Sequence, residues 1–129
     1  MQGRAVYTFR SQQTDPLERG RRFGEVHKDR IAATLGSYRA LFDELNGASF
    51  DIAKAGAAAL RETESFAPHL HQEMLGMAQG ADLAPEAIGA LNARTEILAL
   101  LKTDLRGECS AVIVLPPGDA PPIAVQTWD

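Results

Sequence analysis

Apolar positions follow a helical period through most of the chain and a strand period near its end. Phe23, Ile31, Leu35, Tyr38, Phe42 and Leu45 recur near the helical repeat of about 3.6 residues and predict one long first helix. Its start is written in Thr14-Asp15-Pro16-Leu17-Glu18, where Asp15 can cap, Pro16 takes the first helical position and Glu18 is the capping-box acid. Its end is written in Asn46-Gly47. Gly20 and Gly24 share one face of the opening turns. Each costs up to ~1 kcal/mol relative to Ala in a helix. Close packing of another backbone against that face is the expected compensation.

A second helix is predicted from about Phe50 to Phe66, a third from near Pro68 to about Gly80, and a fourth from Pro85-Glu86 to near Leu105. The fourth carries Ile88, Leu91, Thr95, Leu98 and Leu101, with Lys102 and Arg106 placed for the negative end of the helix dipole. Val6-Tyr7-Thr8-Phe9 reads as a short strand. Met74 and Met77, at helical spacing, read as core, and His27, His69 and His71 as structural or surface residues. On a helix His69 and His71 diverge and make a poor metal pair.

The period changes after Gly107. Cys109 to Leu115 has a strand pattern, residues 116–122 (Pro-Pro-Gly-Asp-Ala-Pro-Pro) form a turn, and Ile123 to Trp128 is a second strand. Composition changes at the same place. All 13 Lys and Arg precede Cys109, and four of the seven prolines follow it. Two units are therefore read, a mainly helical 1–108 and a hairpin at 109–129. Val112, Ile113 and Val114 form a continuous apolar run, the mark of a strand covered on both faces. Two strands cannot cover both faces, so the hairpin is expected to belong to a larger sheet.

The net charge of −4 gives no electrostatic reason to expect a nucleic-acid partner. One cysteine excludes an internal disulfide and a complete Cys-based metal site. A lone thiol, no signal-peptide pattern and no apolar run near the roughly 20 residues of a membrane span lead to the expectation of a soluble cytoplasmic protein.

Cys109 is the first candidate for chemistry. Within a chain its thiol has an ordinary pKa of about 8.5. Were the chain cut before it, the new α-amino group, with a pKa near 8, would lie beside the thiol and could act as its base. From the residue alone, a small buried hydrophobe on a strand is the plainer reading.

Leu91-Asn92-Ala93-Arg94-Thr95-Glu96, Gly107-Glu108-Cys109-Ser110-Ala111 and Gln126-Thr127-Trp128-Asp129 occur in this order. Before them come Pro16-Leu17-Glu18-Arg19-Gly20 with Phe23-Gly24, and Leu75-Gly76-Met77-Ala78-Gln79-Gly80-Ala81. Together they resemble the acyl-coenzyme A:6-aminopenicillanic acid acyltransferase family, the C45 peptidases among the N-terminal-nucleophile hydrolases. The resemblance spans nearly the whole chain. It implies an α+β fold, with a helical pro-segment and the first β-hairpin of an αββα sandwich. It implies self-cleavage at Glu108–Cys109 and acyl transfer through a thioester on Cys109, with Asp129 supporting catalysis. The family often has Gly where this chain has Glu108, and Thr where it has Ser110; Ala111 lacks a hydroxyl found in some members.

Ser110, Gln126, Arg94 and Glu96 are possible pocket or supporting residues, with a solvated helix charge as the plain alternative for the last two. No metal and no resident cofactor are implied, although a coenzyme A thioester could be the acyl donor. Expected partners are a small amide or acyl-thioester substrate and the rest of the sandwich or a complementary chain; neither nucleic acid nor membrane is expected. The resemblance also implies strands, an oxyanion-hole asparagine and a distal arginine that this sequence lacks, so the chain alone is expected not to turn over substrate. The competing expectation is a non-catalytic helical interaction module whose hairpin pairs with a partner's sheet.

Overall fold

The computed structural model describes residues 8–102, 110–118 and 120–127. Five helices precede one antiparallel hairpin: α1 Pro16–Asn46, α2 Ile52–Phe66, α3 Pro68–Ala81, α4 Pro85–Asn92, α5 Arg94–Leu101, β1 Ala111–Val114 and β2 Ile123–Gln126. The fold is α+β in this coarse sense.

The ends of α1 follow from its sequence. Asp15 Oδ1 accepts the Glu18 backbone N–H at 2.8 Å, and Pro16 follows the cap. Gly47 closes the helix at φ 69°, a conformation glycine adopts at low cost. The capping box is only half made. The Glu18 carboxylate turns to Arg21, whose Nη2 lies 2.7 Å from Oε2. A charged guanidinium one turn along is the stronger partner for a carboxylate than the backbone N–H of Asp15. At the next junction the Asp43 carboxylate accepts the Phe50 N–H at 2.7 Å and Asp51 caps α2 by accepting the Lys54 N–H at 2.9 Å.

Helix α1 lies backbone to backbone against α3. A Cβ added at Gly20 would run into the Glu73 carbonyl, and one at Gly24 into the Met77 carbonyl. The contact is reciprocal, because a Cβ at Gly76 would meet the Leu17 carbonyl and one at Gly80 the Arg21 carbonyl. The cost of glycine in these helices is thus offset by an approach no other residue permits, in which Cα–H groups face carbonyl oxygens. The Arg19 guanidinium reinforces the pair, donating to Glu73 Oε2 from Nη2 at 2.6 Å and from Nε at 3.0 Å. Helices α2 and α4 meet in the same manner through Gly56 and Gly89.

Side chains fill what the glycines leave. Phe42, Ile52, Ala90 and Ile97 form one buried cluster, joined by Tyr38, Phe50 and Leu98; Leu60, Met74, Ala78 and Ile88 form the other, joined by Ile31 and Met77. Met74 and Met77 are therefore core residues, as their spacing predicts.

Two expected elements differ. The expected fourth helix bends at Ala93, whose φ of −94° and ψ of 19° depart from helical values. The bonds from Ala93 N–H to the Gly89 carbonyl and from Ile97 N–H to the Ala93 carbonyl persist, so α4 and α5 remain coupled through a bent ladder. The bend turns Ile97 into the Phe42 cluster. Thr8 and Phe9 form no strand; Phe9 instead packs edge-on against Phe23 and His27. The other half of that expected strand, and the expected helix end near Leu105 and Arg106, lie outside the described residues. No helix among the described residues is long and apolar enough to cross a membrane.

Candidate functional site

The hairpin is the part of the structure nearest in sequence to the candidate nucleophile. β1 pairs with β2 in the register Ala111↔Gln126, Val112↔Val125, Ile113↔Ala124 and Val114↔Ile123. Pairing continues toward Cys109: Thr127 N–H donates to the Ser110 carbonyl at 2.9 Å, and Ser110 N–H donates to Thr127 Oγ1 at 3.1 Å. The strand signal in the sequence is thereby located, with β1 opening two residues after Cys109. Every residue of both strands is exposed. Val112, Ile113, Val114, Ile123 and Val125 all lie in solvent, so both faces of the ribbon are apolar and uncovered. Solvated hairpins ordinarily alternate apolar with polar positions.

Cys109, Glu108, Asp129 and Trp128 lie outside the described residues. Of the other candidates, Ser110 and Gln126 are exposed on the hairpin. Arg94 and Glu96 are placed on the helical body. Arg94 Nη1 donates to the Leu91 carbonyl at 3.1 Å, and its guanidinium carbon lies 6.0 Å from the centre of the Tyr38 ring. That contact ties α5 to α1. Glu96 is exposed and, with Asn92, lines an apolar groove between α2 and α5, where Ala55, Ala59, Ile97 and Leu100 supply much of the wall.

The groups whose pKa values shift are surface ion pairs. Glu18 is held below its ordinary value chiefly by the hydrogen bond from Arg21, and Asp82 below its own chiefly by the hydrogen bond from Lys28. These pairings are structural: the first lies within α1, and the second joins α1 to the cap of α3. Among the described residues no polar or charged residue is buried. No cluster of His, Cys, Asp and Glu able to hold a metal occurs among them either. His71 Nδ1 is shielded from solvent and lacks a hydrogen-bond partner; Glu64 Oε1 lies 4.0 Å away.

A second site escapes the sequence reading. An open cleft of about 570 Å³ lies beside α1, and Phe9, Phe23, Ile31 and Leu91 provide its apolar lining. His27, Arg30 and Thr34 supply polar atoms. Phe9, Phe23 and His27 meet edge to face, with ring centres 4.6 to 5.9 Å apart. At His27 the backbone leaves helical values (φ −113°, ψ 15°), and α1 kinks there. The only signals available beforehand were a Phe and a His at i and i+4, a spacing ordinary in any helix.

No protein-family model, no curated protein and no solved structure matches this chain.

Proposed function

We propose that this chain forms part of a self-processing acyltransferase or amide hydrolase of the cysteine N-terminal-nucleophile type. The observation that carries the reading is the hairpin. β1 begins two residues beyond Cys109 and runs into a ribbon that is apolar on both faces. Such a ribbon is suited to the interior of a sandwich, where further strands pair with its edges and helices or a second sheet cover its faces. The motif order from Pro16 to Asp129 supports the same reading.

Cleavage of the Glu108–Cys109 bond would free the Cys109 α-amino group. That amine takes the thiol proton as Sγ attacks the acyl carbonyl. The tetrahedral intermediate then expels the amine of an amide, or the thiol of a coenzyme A thioester, which leaves with the proton. Water or an acceptor amine next attacks the thioester, and its proton returns to sulfur. Asp129 would hold the α-ammonium group. Ser110 and Gln126 would line the mouth of the pocket, and Arg94 and Glu96 would support it from the helical body. Donors for the oxyanion would come from the rest of the sandwich or a complementary chain. Losing one such donor costs ~10²–10³ in rate, so the present chain alone is expected to be inactive.

The test is the intact mass of the protein expressed from its complete reading frame. Two fragments dividing between Glu108 and Cys109, absent in Cys109→Ala, are expected. A single uncleaved mass together with an amide-hydrolysis rate unaffected by Cys109→Ala would overturn the proposal. The exposed apolar ribbon also favours a second reading, a helical interaction module whose hairpin adds to a partner's sheet. On that reading Cys109 is never cleaved, yet hairpin substitutions abolish complex formation.

A further inference from the structure

We propose that the groove between α2 and α5 docks a basic amphipathic helix of a partner protein. The groove encloses about 440 Å³ between two helical stripes. Ala55, Ala58, Ala59 and Thr63 recur at three- and four-residue steps along α2, and Ala93, Ile97 and Leu100 do the same into α5. Each stripe runs for about two helical turns, the length over which a third helix can lie between them. Alanine side chains keep the α2 wall low, so a third backbone can come close. The walls stand before any partner arrives. Gly56 and Gly89 hold α2 against α4, the hydrogen bonds through Ala93 carry α5 from α4, and Ile97 is buried in the Phe42 cluster. A preformed groove avoids much of the ordering cost of binding.

Two large apolar side chains extend this surface into solvent. Leu100 lines the groove and is 86% exposed. Phe66 is 90% exposed and, three residues after Thr63, continues the α2 stripe. Apolar surface left in solvent beside charged residues marks a protein-interaction site. Charge selects the partner. Each wall contributes one exposed carboxylate, Glu62 from α2 and Glu96 from α5, and the described residues lining the groove include no cation. Neither carboxylate has a Lys or Arg three or four residues away on its own helix, and neither forms a salt bridge among the described residues. Glu18, Glu25, Glu73 and Asp82, by contrast, are all paired. A helix with an aliphatic stripe and Lys or Arg beside it meets both the apolar walls and the two unpaired charges. A second copy docking by the same face would set these carboxylates against their own kind. The hairpin takes no part in the contact, so the site is separate from Cys109 processing and from strand pairing at the ribbon.

The test is an NMR titration of the present chain with two synthetic Ala-rich peptides of about 18 residues, long enough to be helical. Both carry the same Leu stripe, bordered by Lys in one and by Glu in the other. The Lys peptide should shift the Ala58, Ala59 and Ile97 methyls saturably and bind at least about fivefold more tightly than the Glu peptide. Glu62→Gln combined with Glu96→Gln should remove most of that preference. Glu44→Gln, which takes an exposed charge from α1 instead, should keep it. Leu100→Ser should weaken the Lys peptide at least about threefold. Because Leu100 lies in solvent, that variant should keep the wild-type melting curve, which is checked alongside. Equal binding of the two peptides would overturn the proposal. So would binding indifferent to Leu100→Ser, or shifts confined to the Val112 and Val125 methyls of the hairpin. A dimer in sedimentation that Leu100→Ser dissociates would overturn it as well, and would make a second copy the occupant.

Discussion

The carbonyl oxygen of Met77 occupies the place where a side chain on Gly24 would begin. This relationship fixes how closely α1 and α3 approach, and it is repeated by Gly20 against Glu73 and returned by Gly76 and Gly80. Gly24→Ala should therefore destabilise the protein although Ala is the better helix former. Overpacking costs about 1–3 kcal/mol, the upper end where the obstacle is backbone as here, and propensity returns at most ~1 kcal/mol, so a net loss of about 2 kcal/mol is expected. Gly36 lies on the same helix with nothing within 4 Å of its added Cβ. Gly36→Ala should stabilise by about 0.4–1 kcal/mol. Thermal unfolding of the two variants should move Tm in opposite directions, by several degrees each. A Gly24→Ala protein as stable as Gly36→Ala would refute the close-packed interface.

Much of this interface is legible before folding. Two glycines four residues apart in an otherwise good helix have a cost that something must offset, and the partner backbone supplies the offset. Asp15-Pro16 and Asn46-Gly47 bound α1 for equally local reasons. The turn from α3 to α4 is less legible, because Asp82 takes the left-handed conformation that glycine usually fills. The bend at Ala93 was hidden for a different reason. Alanine has no local preference to bend, and packing of Ile97 against Phe42 decides it. The cleft was hidden because Phe9 must fold back onto Phe23, and Leu91 joins them only once α4 has docked beside α1. The apolar run at Val112–Val114 was legible as a strand needing cover on two sides, and the structure leaves both sides open.

Phe42 is 1% exposed and touches both neighbouring aromatic rings, Tyr38 at 5.8 Å and Phe50 at 5.4 Å between ring centres. It joins the end of α1 to α2, α4 and α5. Phe42→Ala should cost ~3–5 kcal/mol, and Phe42→Leu much less, because most of the volume is kept. Urea unfolding should show a lower midpoint with an unchanged slope if the helical body still unfolds as one unit. A loss below ~1 kcal/mol for Phe42→Ala would mean that this core is not closed.

Acid should weaken the protein through two pairs that tie or stiffen α1. The Glu18 carboxyl is held below its ordinary value of 4.5, first by the hydrogen bond from Arg21. The Asp82 carboxyl is held below 3.8, first by the hydrogen bond from Lys28. Because the folded values are lower than the unfolded ones, the unfolded chain binds these protons first. Stability from both pairs is fully present above the ordinary carboxylate range and is lost as pH falls through the lowered folded values. Both side chains are well exposed, so the effect is small and shrinks with added salt. Tm followed from pH 7 to pH 2 should fall less steeply in Glu18→Gln and Asp82→Asn than in the parent. Parallel acid limbs in all three proteins would exclude these pairs as the source.

On the proposed reading, the exposed hairpin contributes little to the stability of the helical body and matters for assembly. Ile113 is 67% exposed and lies across from Ala124. Ile113→Lys should leave the melting temperature of the helical body unchanged within the effect of an ordinary surface substitution, about 0.5 kcal/mol. It should also reduce self-association, because a charge on an apolar edge ribbon opposes pairing with another chain. For the protein expressed from its complete reading frame the proposed sandwich predicts a severe effect, since there a lysine would enter a covered sheet without a partner for its charge. Sedimentation and thermal unfolding of both forms measure the contrast. A large loss in the complete protein beside none in the present chain means that the ribbon is covered by further sheet. A substitution tolerated in both means that the ribbon stays solvated, and the sandwich reading fails with it.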